Sequence, residues 1–487
     1  MAAGIPGTLS HPGRRPRAVS LAIGHVLRQW ARRQCVWRQW AWLGPLLPAL
    51  ATVLLLAAPI ETGDVTASGK ITPADAASAV LVAFCAVRAL RDRARPLTRA
   101  AAVILGAPVV AVAIATITSG DPAASLDGFV RYLQVFVLVP TALVLLLRDR
   151  RDFLVVAGSV VLLALVQGAI GVYQYATGTG ASYVGENIRA VGTFGPSDVM
   201  GMATVVAYGL MIAVGLALAP ATAGAPRWLR PAALGCAAAL VVPLVVSFSR
   251  GTWIATVLAC TVMTVLAGWR RAVRIFAVTA AAGVVLVGGA GVGSQLITDR
   301  VASITRVTDA PDASVTDRYS LWAAATGMWR EQPFTGVGLK GFPAHRDGHA
   351  ALNLSSGSDT AGAGQQFKLE PLLSPHNMYL LILSEQGLVG VTLIVGSWAA
   401  LLVGGVRRLT AAHRTGHGTD RGLIATALLL WQCVDFLYSD IGGPSTVLTA
   451  LLFGLAAAWA LQPAADDEGT SVTSVTSGDA GDPVAAR

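Results

Sequence analysis

Charge is scarce in this 487-residue chain. Charged residues make up 13% of it, about half the roughly 25% usual in soluble domains. Lysine is nearly absent, with only Lys70, Lys340 and Lys368. The cysteines, Cys35, Cys85, Cys236, Cys260 and Cys433, are scattered, and four of them fall inside apolar runs. Neither a disulfide framework nor a thiolate metal site is written in that spacing. No two acidic residues are spaced Asp-x-Asp in the apolar runs or outer loops, so a carboxylate pair for a divalent metal is missing. No glycine-rich phosphate loop follows a strand pattern, and no strands are expected, which argues against ATP hydrolysis and dinucleotide chemistry.

What the chain has is apolar length. Hydrophobic residues are 54% of it, and the mean hydropathy is +0.61. Apolar runs of nearly twenty residues recur along almost the whole chain, separated by short basic or Gly/Pro-rich breaks. Such a run matches the roughly 30 Å hydrocarbon core of a bilayer. The reading is an all-α, polytopic membrane protein, which excludes a soluble enzyme, a nucleic-acid binder and a disulfide-stapled secreted domain. Twelve spans are predicted, at about 43–60, 73–90, 100–118, 128–147, 153–176, 197–219, 229–247, 252–268, 273–293, 377–403, 422–438 and 445–461. The resulting organisation is a basic tail (1–42), spans one to nine (43–293), an extracytoplasmic loop (294–375), spans ten to twelve (376–461) and a tail (462–487). That last tail is too poor in apolar residues to fold.

The basic excess, 36 Lys and Arg against 27 Asp and Glu, sits at membrane ends and reads as a topology signal. Arginines crowd alternate breaks: Arg88, Arg91, Arg93, Arg95 and Arg99; Arg148, Arg150 and Arg151; Arg227 and Arg230; Arg270, Arg271 and Arg274; Arg407, Arg408, Arg414 and Arg421. By the positive-inside rule both termini are cytoplasmic, and the intervening loops face outward. The N-terminal tail is too long and too basic for a cleavable signal peptide. Its arginines interleave with Trp30, Trp37, Trp40 and Trp42, as in a helix lying in the headgroup layer.

The outer segment 294–375 breaks the pattern of short connections, and long loops in compact proteins are usually functional. Within it, SQLITDRVASITRV has helical spacing. A second stretch, opening on Thr316–Asp317 as an N-cap, puts Leu321, Trp322, Ala325, Met328 and Trp329 on one face. It is expected to be an amphipathic helix lying on the outer membrane surface. A Gly/Ser-rich insertion follows at about 348–366.

Charged groups gather at the outer ends of the spans. Arg250 lies in SFSRGTWIA, Arg189 in IRAVGTFG, Arg318 at the start of the amphipathic stretch, and His376 in SPHNMYLLILSEQGLVG. An arginine so close to hydrocarbon is costly and calls for a partner or a function. Taken singly, Arg250 reads equally as an interface anchor, Arg318 as a solvated charge, and His376 as a helix-start residue beside Pro375, with Asn377 or Ser374 as cap. Together they suit one reaction. Arginine forks bind phosphate, and an imidazole accepts a proton from a hydroxyl near neutral pH. A lipid diphosphate as leaving group and a sugar hydroxyl as nucleophile would use both.

The order SFSRGTWIA, DRYSLWAAATGMWREQPFTGVGLKGF, SPHNMYLLILSEQGLVG resembles the O-antigen ligase and polymerase superfamily of bacterial membrane glycosyltransferases, over roughly residues 185–400. The resemblance implies a GT-C type fold. It also implies an inverting, metal-independent transfer from an undecaprenyl-diphosphate-linked glycan donor to a glycan or glycolipid acceptor, at the outer face of the cytoplasmic membrane, with no cofactor. It maps Arg250 and Arg318 to the diphosphate and His376 to the acceptor hydroxyl, with Arg189 as a further phosphate contact. Asp435 and Asp440 flank the outer end of span eleven, placed to orient His376 or an arginine. Glu385, deeper in span ten, reads as a polar-network residue. Ligase and repeat-unit polymerase need the same groups and are not separated by the sequence. A multi-span transporter is the rival of another class; it would show internal repeats and ionisable groups near the midplane, and no repeat is evident.

Overall fold

The computed structural model describes residues 41–59, 71–92, 97–183, 186–220, 226–289, 313–350, 372–416 and 418–462. The expected headgroup helix of the N-terminal tail, the SQLITDRVASITRV stretch, most of the Gly/Ser-rich insertion and the C-terminal tail lie outside the described residues. Two units divide the chain, Met1–Leu47 and Pro48–Arg487. Of the first, the described part is a 3-10 turn over Ala41–Leu46.

The elements of the second unit are helical almost throughout. They are α1 (Leu47–Leu54, which begins at the boundary), α2 (Pro73–Asp92), α3 (Arg99–Ile117), α4 (Pro122–Leu133), α5 (Val139–Leu146) and α6 (Arg150–Thr177). There follow α7 (Gly201–Leu218), α8 (Leu229–Val245), α9 (Arg250–Leu266), α10 (Trp269–Gly289), α11 (Ala313–Glu331) and α12 (Phe342–His349). The last four are α13 (Met378–Gly390), α14 (Gly396–Thr415), α15 (Thr419–Asp435) and α16 (Thr446–Leu461). Among the described residues, six helical stretches are long and apolar enough to cross a membrane, and four shorter apolar helices accompany them. Over their described residues, the twelve expected runs fall mainly on helices.

Helix starts follow local chemistry. Asp149 accepts the Asp152 N–H at 2.9 Å to open α6, Thr98 caps α3, and Asn377 caps α13, each satisfying an N–H that the helix leaves over. The fourth span is not one regular helix. Pro140 has no N–H to give, and the turn over Gln134–Leu138 widens to π geometry between α4 and α5. A similar widening over Val391–Val395 joins α13 to α14.

Helix α7 is the most deeply buried of the long apolar helices, packed by α6, α8, α9 and α15. A second focus is aromatic: Trp398 stands 5.1 Å from both Phe136 and Phe436, ring centre to ring centre, and 5.6 Å from Phe453. Such tilted and edge-on pairs each add about 0.5–1.5 kcal/mol beyond burial. Phe436 directly follows Asp435, so this cluster anchors the C-terminal end of α15.

Two features depart from the sequence reading. The sequence predicts no strand, yet a small antiparallel hairpin pairs β1 (Ala181–Tyr183) with β2 (Glu186–Arg189). A short polar segment beyond the end of α6 satisfies its backbone against itself. The amphipathic stretch also begins earlier than its expected cap, at Ala313 rather than after Thr316–Asp317. Its apolar face does not lie on a membrane: Leu321, Ala324, Ala325 and Met328 are buried where α11 packs on α13 and α12. Periodicity identifies an apolar face but not what covers it.

Candidate active site

Three helix ends meet at the candidate site: the N-terminus of α9, the N-terminus of α13 and the C-terminus of α15. Arg250 is the first residue of α9, behind the cap Ser249. The turn before it is strained, since the buried Phe248 has φ 52°. A left-handed conformation costs a residue with a Cβ about 1–2 kcal/mol. Tyr438, in the turn after α15, packs over Gly251, its Cβ 3.3 Å from where a side chain there would begin.

His376 is likewise held at positive φ, 48°. The segment around it is pinned on all sides. Trp322 of α11 donates its indole N–H to the Pro375 carbonyl at 2.9 Å. The Asn377 amide donates to the Leu437 carbonyl at 3.2 Å, and Met378 N–H reaches the carbonyls of Phe436 at 2.8 Å and Ser439 at 3.0 Å. Tyr379 donates its hydroxyl to the Cys433 carbonyl at 2.7 Å. Strain of this kind persists only where surroundings over-determine the conformation, and it clusters at functional sites. Pro375 lies outside the helix instead of in its first turn; Asn377 is the cap, accepting from Leu380 N–H at 3.1 Å.

The end of α15 and the turn after it supply the acids. Ser374 donates its hydroxyl to the Asp440 carboxylate and accepts the His376 N–H at 3.3 Å. Asp435 is buried, 6% exposed, and accepts the Ser439 hydroxyl at 2.5 Å. It stands at a helix C-terminus, where the macrodipole disfavours negative charge. Asp198 acts on it electrostatically as well and itself accepts the Ser445 N–H at 2.9 Å.

Arg318, in the second turn of α11, completes the group. Burial, and after it the like charge of Arg250, lowers the pKa of its guanidinium, while Asp440, Asp435 and Tyr438 act in the opposite direction. A guanidinium stays protonated through such shifts. Burial also presses the pKa of His376 below its usual 6.5; the Asp440 carboxylate opposes this, and the Arg318 charge reinforces it. The imidazole is therefore neutral at pH 7.

The structure thus gathers Arg250, Arg318, His376, Asp435 and Asp440 within electrostatic reach of one another. Arg189 stands beside this group. It leaves β2 to donate Nε–H to the Ser247 carbonyl at 3.1 Å, three residues before Arg250, and its Nη2 lies 2.9 Å from the Met200 sulfur. Sequence reasoning offers Ser374 and Asn377 only as caps, and it misses Tyr438, Ser439 and Asp198 altogether. Hydroxyls and a carboxylate near span ends carry little signal until the chain folds them onto one another.

Glu385 lies deeper, at an interruption of α13. At Gly387 the backbone takes φ 62° and leaves the helix, a conformation open to glycine. The freed carbonyls of Ser384 and Glu385 accept the N–H groups of Val337 at 2.9 Å and Gly338 at 3.0 Å. The freed N–H groups of Leu388 and Val389 donate to Pro333 at 2.9 Å and Phe334 at 3.1 Å. The TGVGLKG stretch is thus laid into the break, and the Glu385 carboxylate accepts the Phe342 N–H at 3.3 Å at the start of α12.

Residues 234–395 match the family model described as O-antigen ligase. The matched segment contains Arg250, Arg318 and His376 and excludes Arg189, Asp435 and Asp440. No curated protein matches the chain.

Proposed function

We propose that this chain, a multi-pass membrane member of the O-antigen ligase and polymerase superfamily, is a glycosyltransferase that moves a glycan from a polyprenyl-diphosphate donor to a sugar hydroxyl. The observation that carries this reading is the apposition of two arginines beside a neutral imidazole. Arg250 is the charged group that most strongly lowers the pKa of Arg318. Two guanidiniums that feel each other's charge in one partly buried site favour an anion near both, and their forked donors suit a diphosphate. The N-termini of α9 and α13 add partial positive charge on the same side.

In the reaction, the acceptor oxygen attacks the anomeric carbon from the side opposite the diphosphate. His376 takes the hydroxyl proton as the new C–O bond forms. The bond from the anomeric carbon to the diphosphate oxygen breaks, and the diphosphate leaves with the electron pair. Arg250 and Arg318 stabilise its growing charge, and Arg189 holds the outer phosphate. The anomeric configuration inverts. Asp440, fixed by Ser374, steadies the imidazolium that results, and Asp435 orients Arg318. The arginines supply the counter-charge that a metal would otherwise provide. A repeat-unit polymerase uses the same steps with a second lipid-linked glycan as acceptor.

Purified protein in lipid should form product from a polyprenyl-diphosphate glycan in the presence of EDTA. An absolute requirement for a divalent cation would overturn the counter-charge assignment. On this reading the site faces the outer side of the cytoplasmic membrane and both termini are cytoplasmic, as the alternation of arginine-rich breaks supports. In a cysteine-free background, Ala344→Cys should then be labelled by an impermeant thiol reagent from outside and Thr410→Cys should not; the reverse pattern would invert the orientation.

A further inference from the structure

Arg189 ends β2, and two glutamines of α6 bond the backbone that follows it. Gln167 and Gln174 are seven residues apart, which brings both to one face of the helix about 10.5 Å apart along its axis. The Gln174 side-chain oxygen accepts the N–H groups of Val191 at 3.0 Å and Gly192 at 2.9 Å, and its amide donates to the Gly192 carbonyl at 2.9 Å. The Gln167 side-chain oxygen accepts the Thr193 N–H at 3.0 Å. Its amide donates to the Thr193 hydroxyl at 2.7 Å and to the Leu56 carbonyl at 3.2 Å. Gln167 is fully buried, and so are Ala190, Val191 and Phe194.

Other bonds of this segment run to the turn that precedes Arg250. Ala190 N–H donates to the Val246 carbonyl at 3.2 Å, and Arg189 Nε–H donates to the next carbonyl, that of Ser247, at 3.1 Å. That turn is the strained one, with Phe248 at positive φ directly ahead of the α9 cap. The 189–193 segment is therefore held from one side by α6 and from the other by the turn that presents Arg250. Gly192 sits at φ 64°, and Gln167 Oε1 occupies the space that a Cβ there would need, so the backbone is pressed close against the glutamine.

We infer that Gln174, with Gln167 beneath it, is a positioning residue that sets the register of Arg189 against Arg250 and so the spacing of the two arginines on the donor diphosphate. The inference rests on the proposed role of Arg189 at the donor diphosphate. Neither glutamine touches substrate. A lone packing role would call for apolar residues on this face of α6. Six bonds from two side-chain amides to one short loop and one helix end instead fix a backbone position.

The test is steady-state kinetics of purified protein in lipid, with the polyprenyl-diphosphate glycan varied, on Gln174→Met, Arg189→Ala and the double variant. Removing an interaction made equally in the ground state and the transition state raises KM and leaves kcat unchanged. Arg189→Ala is expected to raise donor KM on the order of tenfold, and Gln174→Met by somewhat less, with kcat within about twofold for both. The double variant should be no worse than Arg189→Ala alone, because a residue acting only through Arg189 has nothing left to position. Gln174→Glu keeps both accepted bonds but sets a carboxylate oxygen against the Gly192 carbonyl, and should also raise KM with the same dependence on Arg189. Equal and additive effects of Gln174→Met in the presence and absence of Arg189, or a fall in kcat in place of the rise in KM, would make Gln174 a structural residue and overturn the inference. If Arg189→Ala leaves donor KM unchanged, the donor reading of Arg189 itself has failed.

Discussion

Where α14 ends and α15 begins, arginines meet acids and carbonyl groups. Arg150 Nε lies 2.7 Å from the Asp420 carboxylate, which is only 2% exposed. Arg408 donates to the carbonyls of Trp459 and Gln462 at the end of α16 and lies 4.7 Å over the Trp459 ring. Arg230 and Arg271 reach the carbonyls of Ala217 and Leu218 at the end of α7. Each closes a helix C-terminus or neutralises a buried carboxylate, as the macrodipole favours. Arg250 also opens a helix N-terminus, but it acts on Arg318 with like charge, while Asp440 and Asp435 act on Arg318 in the opposite sense. One set of arginines thus lowers the energy of the resting protein. The other brings two like charges into one site, the arrangement expected of the proposed diphosphate site.

The largest effect should come from the proposed general base. His376→Asn keeps a residue that tolerates positive φ but removes the base. Turnover should fall by about 10²–10⁴-fold while the lipid donor still binds, measured as product formed and donor retained by the purified variant. Near-normal turnover would reduce His376 to a residue of the helix start. Arg150→Ala, from the opposite set, should cost stability by leaving the buried Asp420 without this partner, yet leave turnover of the folded protein within about twofold of the wild type.

The pH dependence sharpens the electrostatics. Because burial and Arg318 hold the His376 pKa below 6.5 against Asp440, the base is neutral at pH 7 and is lost only as pH falls through that lowered value. The acid limb of kcat/KM should have its midpoint below pH 6.5. Asp440→Asn removes the carboxylate that favours the imidazolium, so the limb should move to still lower pH. A shift to higher pH would contradict the assignment.

The smallest effect on chemistry should come from Arg408→Ala. Two helix-end carbonyls lose a charged donor and Trp459 loses its stacked cation, a loss of about 1–3 kcal/mol in stability. Thermal unfolding in detergent should report it, with turnover at low temperature unchanged. A large loss of turnover without loss of stability would erase the contrast between the two sets.

The main lines of this arrangement are legible in the sequence. Long apolar runs locate the helices, and Arg250, Arg318 and His376 stand out as charges at the margins of hydrocarbon. Their partners do not stand out. Phe248 and His376 take left-handed backbones that their residue types do not announce: the His376 segment is bonded to the turn after α15, and the turn of Phe248 to Arg189 and Ala190. Gln167 and Gln174 sit in an apolar run like ordinary span residues until the chain returns with Gly192 and Thr193. Gly387 hints at a bend, but the loop that fills it comes from some fifty residues earlier. Local pattern specifies helices; the pairing of loops with helix ends is a long-range property.

The central claim is that Arg250 and Arg318 together form the diphosphate site, and donor affinity tests it most directly. Binding of a polyprenyl-diphosphate lipid to purified protein in lipid nanodiscs should be compared for the wild type, Arg250→Lys and Arg318→Lys, with the matching polyprenyl monophosphate as control. Lysine keeps the charge and loses the fork, so each variant should bind the diphosphate about tenfold or more weakly and lose most of its preference over the monophosphate. Unchanged affinity and preference in both variants would contradict the account.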